Sequence, residues 1–157
     1  MTFEAQVTED DVKSIRQMVQ SAGVFSKEEI DVAEELAQDA AALGAESHYR
    51  FIFAEIEQEL AGYTCFGRIP LTDERYDLYW IVTDKAALRK GIASELMKRT
   101  KEAVKAIGGK AIYAETSSRA IYAPAQKFYI KNGFTLAATV KNFYSNGDDK
   151  LMYCLTL

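Results

Sequence analysis

Two stretches of this chain combine residue types and spacings that can do chemistry. The first is Ile81-Val-Thr-Asp-Lys-Ala-Ala-Leu-Arg-Lys-Gly-Ile-Ala-Ser-Glu-Leu-Met97. An apolar strand runs into a polar loop, and Gly91-x-Ala93 then opens an amphipathic helix. Small residues at such a turn let an anion approach the main chain, where free N–H groups and the positive end of the helix dipole receive it. A pyrophosphate fits such a hollow. An isolated Gly-x-Ala also fits a plain βα turn, and neither a Walker loop nor a complete Gly-x-Gly-x-x-Gly is present. The second stretch is Tyr113-Ala-Glu-Thr-Ser117 with Ala125-Gln-Lys-Phe-Tyr-Ile-Lys-Asn-Gly-Phe134. It sets a carboxylate, Glu115, at a strand end and a phenol, Tyr129, on a short helix.

The elements that must position these residues follow from periodicity and punctuation. Phe3–Val7 reads as a strand. Thr8 caps a helix with Val12, Ile15, Val19 and Ala22 on one face, and Ser26-Lys-Glu-Glu29 is a capping box for a second helix that ends near Leu43-Gly44. His48–Ile56 and Leu60–Gly67 form a hairpin, and Tyr76–Thr83 is a strand apolar on both faces, as expected of a buried central one. A helix from Gly91 to Ile107 turns Ile92, Leu96, Val104 and Ile107 inward and is stopped by Gly108-Gly109. Ala111–Thr116 is a strand, Pro124 opens a short helix ended by Asn132-Gly133, and Phe134–Val140 and Lys150–Leu157 are the last strands. The order β-α-α-β-β-β-α-β-α-β-β predicts an α/β fold with one mixed, mostly antiparallel sheet of about seven strands and helices on both faces. Residues 1–157 read as a single domain, since no linker, repeat or low-complexity segment interrupts them.

Composition narrows the class. The chain has 157 residues, 48% hydrophobic and 27% charged, the balance of a soluble globular protein. A net charge of −4 argues against nucleic-acid binding through a basic surface. No apolar run approaches the ~20 residues of a membrane span, and Met1-Thr-Phe-Glu-Ala is not a signal peptide, so a cytoplasmic location with no membrane partner is expected. Cys65 and Cys154 sit in strand-like runs without a Cys or His nearby, which fits reduced thiols rather than a disulfide or zinc site. His48 is the single histidine, so no multi-histidine metal site is expected.

Taken together, the two stretches resemble the GNAT superfamily of acyl-CoA-dependent N-acyltransferases. Its cofactor loop, (Arg or Gln)-x-x-Gly-x-(Gly or Ala), is matched by Gly91 and Ala93. Its later motif, a small residue followed by Phe/Leu-Tyr-x-x-x-Gly-Phe, is matched by Ala125, Phe128, Tyr129, Gly133 and Phe134. The predicted element order matches the family fold over nearly the whole chain. Leu88 stands at the Arg/Gln position, with Arg89 and Lys90 following. Ser117, Ser118 and Arg119 occupy the region where the family often has Asn, and Ala120–Pro124 resembles a small insertion.

The resemblance implies acetyl-CoA as cosubstrate, held by Val82, Thr83, Arg89, Lys90, Gly91, Ile92, Ala93 and Ser94 in a cleft where two parallel strands splay. The Val82 N–H would polarise the thioester carbonyl. Glu115 is the implied general base, acting directly or through water. An alkylammonium of pKa ~10.4 is almost wholly protonated at pH 7, so the nucleophile must lose a proton first. Tyr129 is the position that meets the departing sulfur; a phenol is a weaker acid than a thiol, so stabilising the thiolate by hydrogen bonding is its expected part. Lys127 and Lys131 either assist at the phosphates or form a solvated face. Tyr76, Tyr79, Trp80, Phe143 and Tyr144 either line an acceptor pocket or pack a core. Asp148 or Asp149 would hold a cationic acceptor, unless they form an ordinary acidic turn. The implied activity is acetyl transfer, in a ternary complex, to a primary amine of a small molecule or peptide. The alternative is a non-catalytic acyl-CoA-binding or sensing module on the same fold. The last strands of such folds often pair, so a homodimer is compatible with this sequence.

Overall fold

Two capping boxes set the start of the chain, in a computed structural model that describes all 157 residues. Thr8 Oγ1 accepts the Asp11 N–H at 3.3 Å while the Asp11 carboxylate accepts the Thr8 N–H at 2.7 Å, opening α1 (Glu9–Ala22). Ser26 and Glu29 repeat the exchange at 3.2 and 2.6 Å and open α2 (Lys27–Leu43). Each box satisfies two amides that a helix end otherwise leaves unpaired, and such a cap is worth about 1 kcal/mol. α1 buries Val12, Ile15, Met18 and Val19, and α2 buries Ala33, Ala37 and Ala40. Arg16 links the two helices through Asp31, at 3.0 Å, and Glu34.

The other elements are β1 (Thr2–Glu4), β2 (Arg50–Ile56), β3 (Glu59–Arg68), β4 (Arg75–Thr83), α3 (Ile92–Ala106), β5 (Ala111–Ser117), α4 (Ala123–Lys131), β6 (Thr135–Ser145) and β7 (Asp148–Thr156). The order is the one expected from the sequence. The seven strands form one sheet in the order β1-β2-β3-β4-β5-β7-β6. β4 and β5 pair in parallel, whereas β1–β2, β2–β3, β5–β7 and β6–β7 are antiparallel. Some expected bounds shift: β1 ends at Glu4 and not at Val7, and β2 begins at Arg50 and not at His48. Ile107 is 43% exposed, because α3 ends at Ala106 and Gly108 turns the chain away at φ 85°. β6 also runs five residues beyond Val140, to Ser145. Asn142, at φ 54°, makes an irregularity there, donating its N–H to Asp149 Oδ1 at 2.9 Å and accepting the Gly147 N–H at 2.8 Å. The expected loop therefore shrinks to Asn146-Gly147.

The chain gathers into two compact units. The first comprises Met1–Gly67 and Trp80–Thr100; the second, Arg68–Tyr79 and Lys101–Leu157. In the first, Phe51 stacks on Phe53 and Tyr63 at 5.7 and 5.9 Å, and Ala54, Ala61, Ala87, Ile92 and Leu96 form a buried cluster. Thr64 and Thr100 share a buried hydrogen bond of 2.9 Å. Gly62 lets α3 and β4 come close: a Cβ there would stand 2.8 Å from the Val82 carbonyl oxygen and 3.2 Å from Ile92. In the second unit, Tyr76 and Val104 crowd Gly109, and Lys101 donates to the Asn132 carbonyl at the end of α4.

Tyr63 Oη is buried without a hydrogen-bond partner. Removing an unpaired buried hydroxyl removes its desolvation penalty. Tyr63→Phe is therefore expected to leave stability unchanged or raise it by about 1 kcal/mol in urea unfolding. A clear loss of stability would show that the hydroxyl does bond in solution.

Candidate active site

The first unit carries the cofactor-loop residues. After β4, the Asp84 N–H donates to the Ala61 carbonyl at 2.9 Å and its carboxylate accepts the Ala86 N–H at 2.8 Å, folding Lys85–Ala87 into one 3-10 turn. Arg89 at φ 65° and Gly91 at φ 76° are both left-handed. A Cβ on Gly91 would meet nothing within 4 Å, so the backbone conformation, and not crowding, calls for glycine there. The Glu95 N–H bonds the Gly91 carbonyl at 3.1 Å as the first turn of α3. The N–H groups of Ile92, Ala93 and Ser94 thus precede any helical acceptor, at the positive end of a helix that runs to Ala106.

Side chains in this segment divide into two sets. Val82 and Ile92 are buried at 5% and 1%, so they can offer only main-chain groups to a ligand. Thr83, Ala93 and Ser94 are half-buried, and Arg89 and Lys90 are exposed cations. Leu88 is 55% exposed, so its substitution for Arg or Gln removes a polar side chain without rebuilding the core. A hollow of about 150 Å³ between Leu60, Asp84, Ala87 and Lys90 is smaller than the ~300 Å³ lower bound for ligand pockets.

The second unit carries Glu115 and Tyr129. The parallel ladder runs from Arg75↔Ala111 to Leu78↔Ala114, and Glu115 is the next residue of β5. Its exposed carboxylate lies 2.7 Å from Lys150 Nζ. Tyr113, two residues back, is hydrogen-bonded to Cys154, and this holds its phenol above the usual value near 10. Tyr129 is buried at 7% against Phe134 and Tyr153, whose ring centres both lie 5.5 Å away. Burial, reinforced by Tyr153, pushes its phenol up to about 12. Proton transfer from such a phenol to a thiolate of pKa ~8.5 is uphill by ~5 kcal/mol. Tyr129 is thus suited to donating a hydrogen bond and keeping its proton.

Of the two readings of Asp148 and Asp149, the internal hydrogen bonds fit the ordinary acidic turn. Asp148, 8% exposed, accepts the hydroxyl of Ser117, which itself accepts the Arg119 N–H at 3.0 Å. Asp149 accepts from Lys141 at 2.8 Å and from the Asn142 N–H, and Lys141 holds its carboxyl below the usual carboxylate range. Ser118 and Asp149 exchange two more bonds at 2.9 and 2.8 Å. These residues fasten the end of β5 to the start of β7. Lys127 and Lys131 are exposed on α4, as a solvated face would be. Sequence reasoning missed Lys150. Its signal is register alone: β7 sets it opposite Ser117, diagonal to Glu115.

Comparison with known proteins identifies the class. The sequence profile of the acetyltransferase (GNAT) family matches residues 12–134, and the chain belongs to that family. The crystal structure of a GNAT-family protein from Desulfovibrio desulfuricans superposes with a TM-score of 0.96 at 39% identity, over 99% of this chain and 98% of that one. Two more distant structures share the fold. An aminoglycoside 6′-N-acetyltransferase complexed with coenzyme A gives a TM-score of 0.76 at 14% identity, covering 99% and 97% of the two chains. The ribosomal-protein-S18-alanine N-acetyltransferase from Escherichia coli gives 0.75 at 17%, covering 99% and 94%. A search of curated proteins returned no significant match. No helix is long and apolar enough to cross a membrane.

The burial of Tyr129 has a consequence for stability. Unfolded tyrosine ionises near 10, whereas folded Tyr129 keeps its proton to about 12. Below pH 10 the contribution is fully present; above it the unfolded chain releases its proton first, so stability falls as pH rises towards 12. A rise of that size corresponds to ~2–3 kcal/mol. Tyr129→Phe is expected to remove about that much of the loss seen in urea unfolding between about pH 9 and 11.5. An unchanged slope would refute the assignment.

Proposed function

We propose that residues 1–157 act as one domain that transfers acetyl from acetyl-CoA to a primary amine of a small molecule or peptide. The observation that carries this reading is the left-handed Gly91 opening α3, which leaves the amides of Ile92, Ala93 and Ser94 without helical acceptors. Such a helix end receives a pyrophosphate without help from any particular side chain. Arg89 and Lys90 add flexible positive charge, and Thr83 and Ser94 add hydroxyl groups beside it. Coenzyme A in the aminoglycoside acetyltransferase complex and membership of the family support acetyl-CoA as the donor.

The residues then take these parts. Glu115, exposed and held only by Lys150, accepts the proton of the acceptor ammonium, directly or through one water. The freed nitrogen forms a bond to the acetyl carbonyl carbon. The Val82 N–H bears the charge that develops on the carbonyl oxygen. As the tetrahedral intermediate collapses, the carbon–sulfur bond breaks and its electron pair leaves on sulfur, with Tyr129 donating a hydrogen bond to the thiolate. The nitrogen gives up its second proton, and the thiolate takes a proton as it departs. Neither cysteine serves as a nucleophile. Cys65 is buried and its thiol is pushed up by desolvation, and Cys154 is engaged with Tyr113. Direct transfer therefore needs no acetylated enzyme.

A thiol-release assay with acetyl-CoA over a panel of amines tests the reading. Glu115→Gln should lower turnover by roughly 10²–10⁴-fold, the scale of a general base, while acetyl-CoA still raises the melting temperature. Tyr129→Phe should cost roughly ten- to a hundredfold, the scale of one hydrogen bond to a charged group. Full activity in both variants would assign the chemistry elsewhere. No thermal shift with acetyl-CoA, at concentrations well above micromolar, would remove the cosubstrate.

A further inference from the structure

Glu115 has a partner that acetyl transfer by itself does not require. Lys150 Nζ lies 2.7 Å from its carboxylate and 4.4 Å from the centre of the Phe143 ring. The Lys150 side chain is 17% exposed and that of Glu115 38%, so the ammonium is the more enclosed member of the pair. Phe143 is itself 53% exposed.

Charge accounting on these two strands limits what can bind. β5 and β7 carry three carboxylates: Glu115, Asp148 and Asp149. Asp148 is occupied by Ser117, and Asp149 by Lys141 and the Asn142 amide. On these two strands an incoming ammonium finds Glu115 alone, with its charge already matched by Lys150. A simple cation that took this carboxylate would leave a largely enclosed lysine ammonium unpaired, which is costly. An amine that brings its own anionic group avoids that cost. Its nitrogen faces Glu115, its anion faces Lys150, and two ion pairs replace one. The distance between the partners requires the two groups to lie close together, as they do when amine and carboxylate share one carbon. The Phe143 ring beside Lys150 offers an apolar wall to the rest of the molecule.

Resting on the acetyl-transfer reading above, we propose that the acceptor is a free α-amino acid, its amine set against Glu115 and its carboxylate taken by Lys150. Lys150 is then a specificity-determining residue. Polyamines and aminoglycosides bring several cations to a pair of strands with one carboxylate to offer. A peptide amino terminus lacks the α-carboxylate.

The test uses the full chain with acetyl-CoA and measures thiol release with each of the twenty amino acids, their α-carboxamides, spermidine, an aminoglycoside and a short peptide. The best amino acid should exceed its own carboxamide by at least about tenfold in kcat/KM, since the amide leaves Lys150 unpaired. Lys150→Met should collapse that ratio towards one, chiefly by raising KM for the acid, and Lys150→Arg should restore most of it. A thermal shift with acetyl-CoA in each variant shows that the fold and cosubstrate site persist. Equal use of acid and amide, preference for a polycation or peptide, or a ratio unchanged in Lys150→Met overturns the acceptor assignment. So does an acetyl-CoA shift without turnover of any of the twenty, which leaves the cosubstrate site standing. Loss of the acetyl-CoA shift in the wild-type chain overturns the transferase reading, and the acceptor assignment with it.

Discussion

The parallel pairing of β4 with β5 governs the rest of this structure. Two strands that run the same way cannot be joined by a tight turn, so the chain must cross over through a helix. α3 is that crossover, and its amino end forms directly after the carboxyl end of β4. In sheets with parallel strands, ligands gather outside the carboxyl ends of the strands, because the helix amino ends and their free amides are there. The sharp passage from strand to helix needs left-handed backbone at Arg89 and Gly91. Gly62 lets the same helix press against the sheet. One topological requirement thus accounts for the glycine, the exposed amides and the position of the loop.

Main-chain groups and side chains divide the work in this arrangement. Val82 and Ile92 are committed to the core and present only their backbones, while Arg89 and Lys90 stand in solvent. Leu88, 55% exposed, stands in solvent with them and takes no part in the core. Tyr129 shows the opposite arrangement. Its ring is packed against Phe134 and Tyr153, so the residue holds the second unit together and presents a phenol that keeps its proton.

The β5–β7 ladder organises the polar groups of the second unit. Along β5, Glu115 is exposed whereas Thr116 and Ser117 are buried at 8%. Ser117 gives its hydroxyl to Asp148, and Ser118 and Asp149 exchange main-chain and side-chain bonds, which anchors the turn at Asn146-Gly147. Two acidic residues that look available in the sequence are consumed in this fastening. That leaves Glu115 as the carboxylate on these strands whose partner is a single lysine side chain.

The local rules of the chain were legible in its residues. Thr8 with Asp11 and Ser26 with Glu29 cap their helices because each pair lies within one turn. The order of elements followed from apolar periodicity, and Gly91, Glu115 and Tyr129 stood out through motifs confined to short windows. What the sequence could not disclose depends on which strand lies beside which. Lys150 reaches Glu115, and Asp148 reaches Ser117, only because β7 pairs with β5 in one particular register across a long stretch of intervening chain. The extension of β6 depends on Asn142 bonding Asp149 across the hairpin, and the exposure of Ile107 on where α3 ends. Short-range hydrogen bonding and periodicity are written residue by residue; the partners of a charge are set by the tertiary pairing of strands.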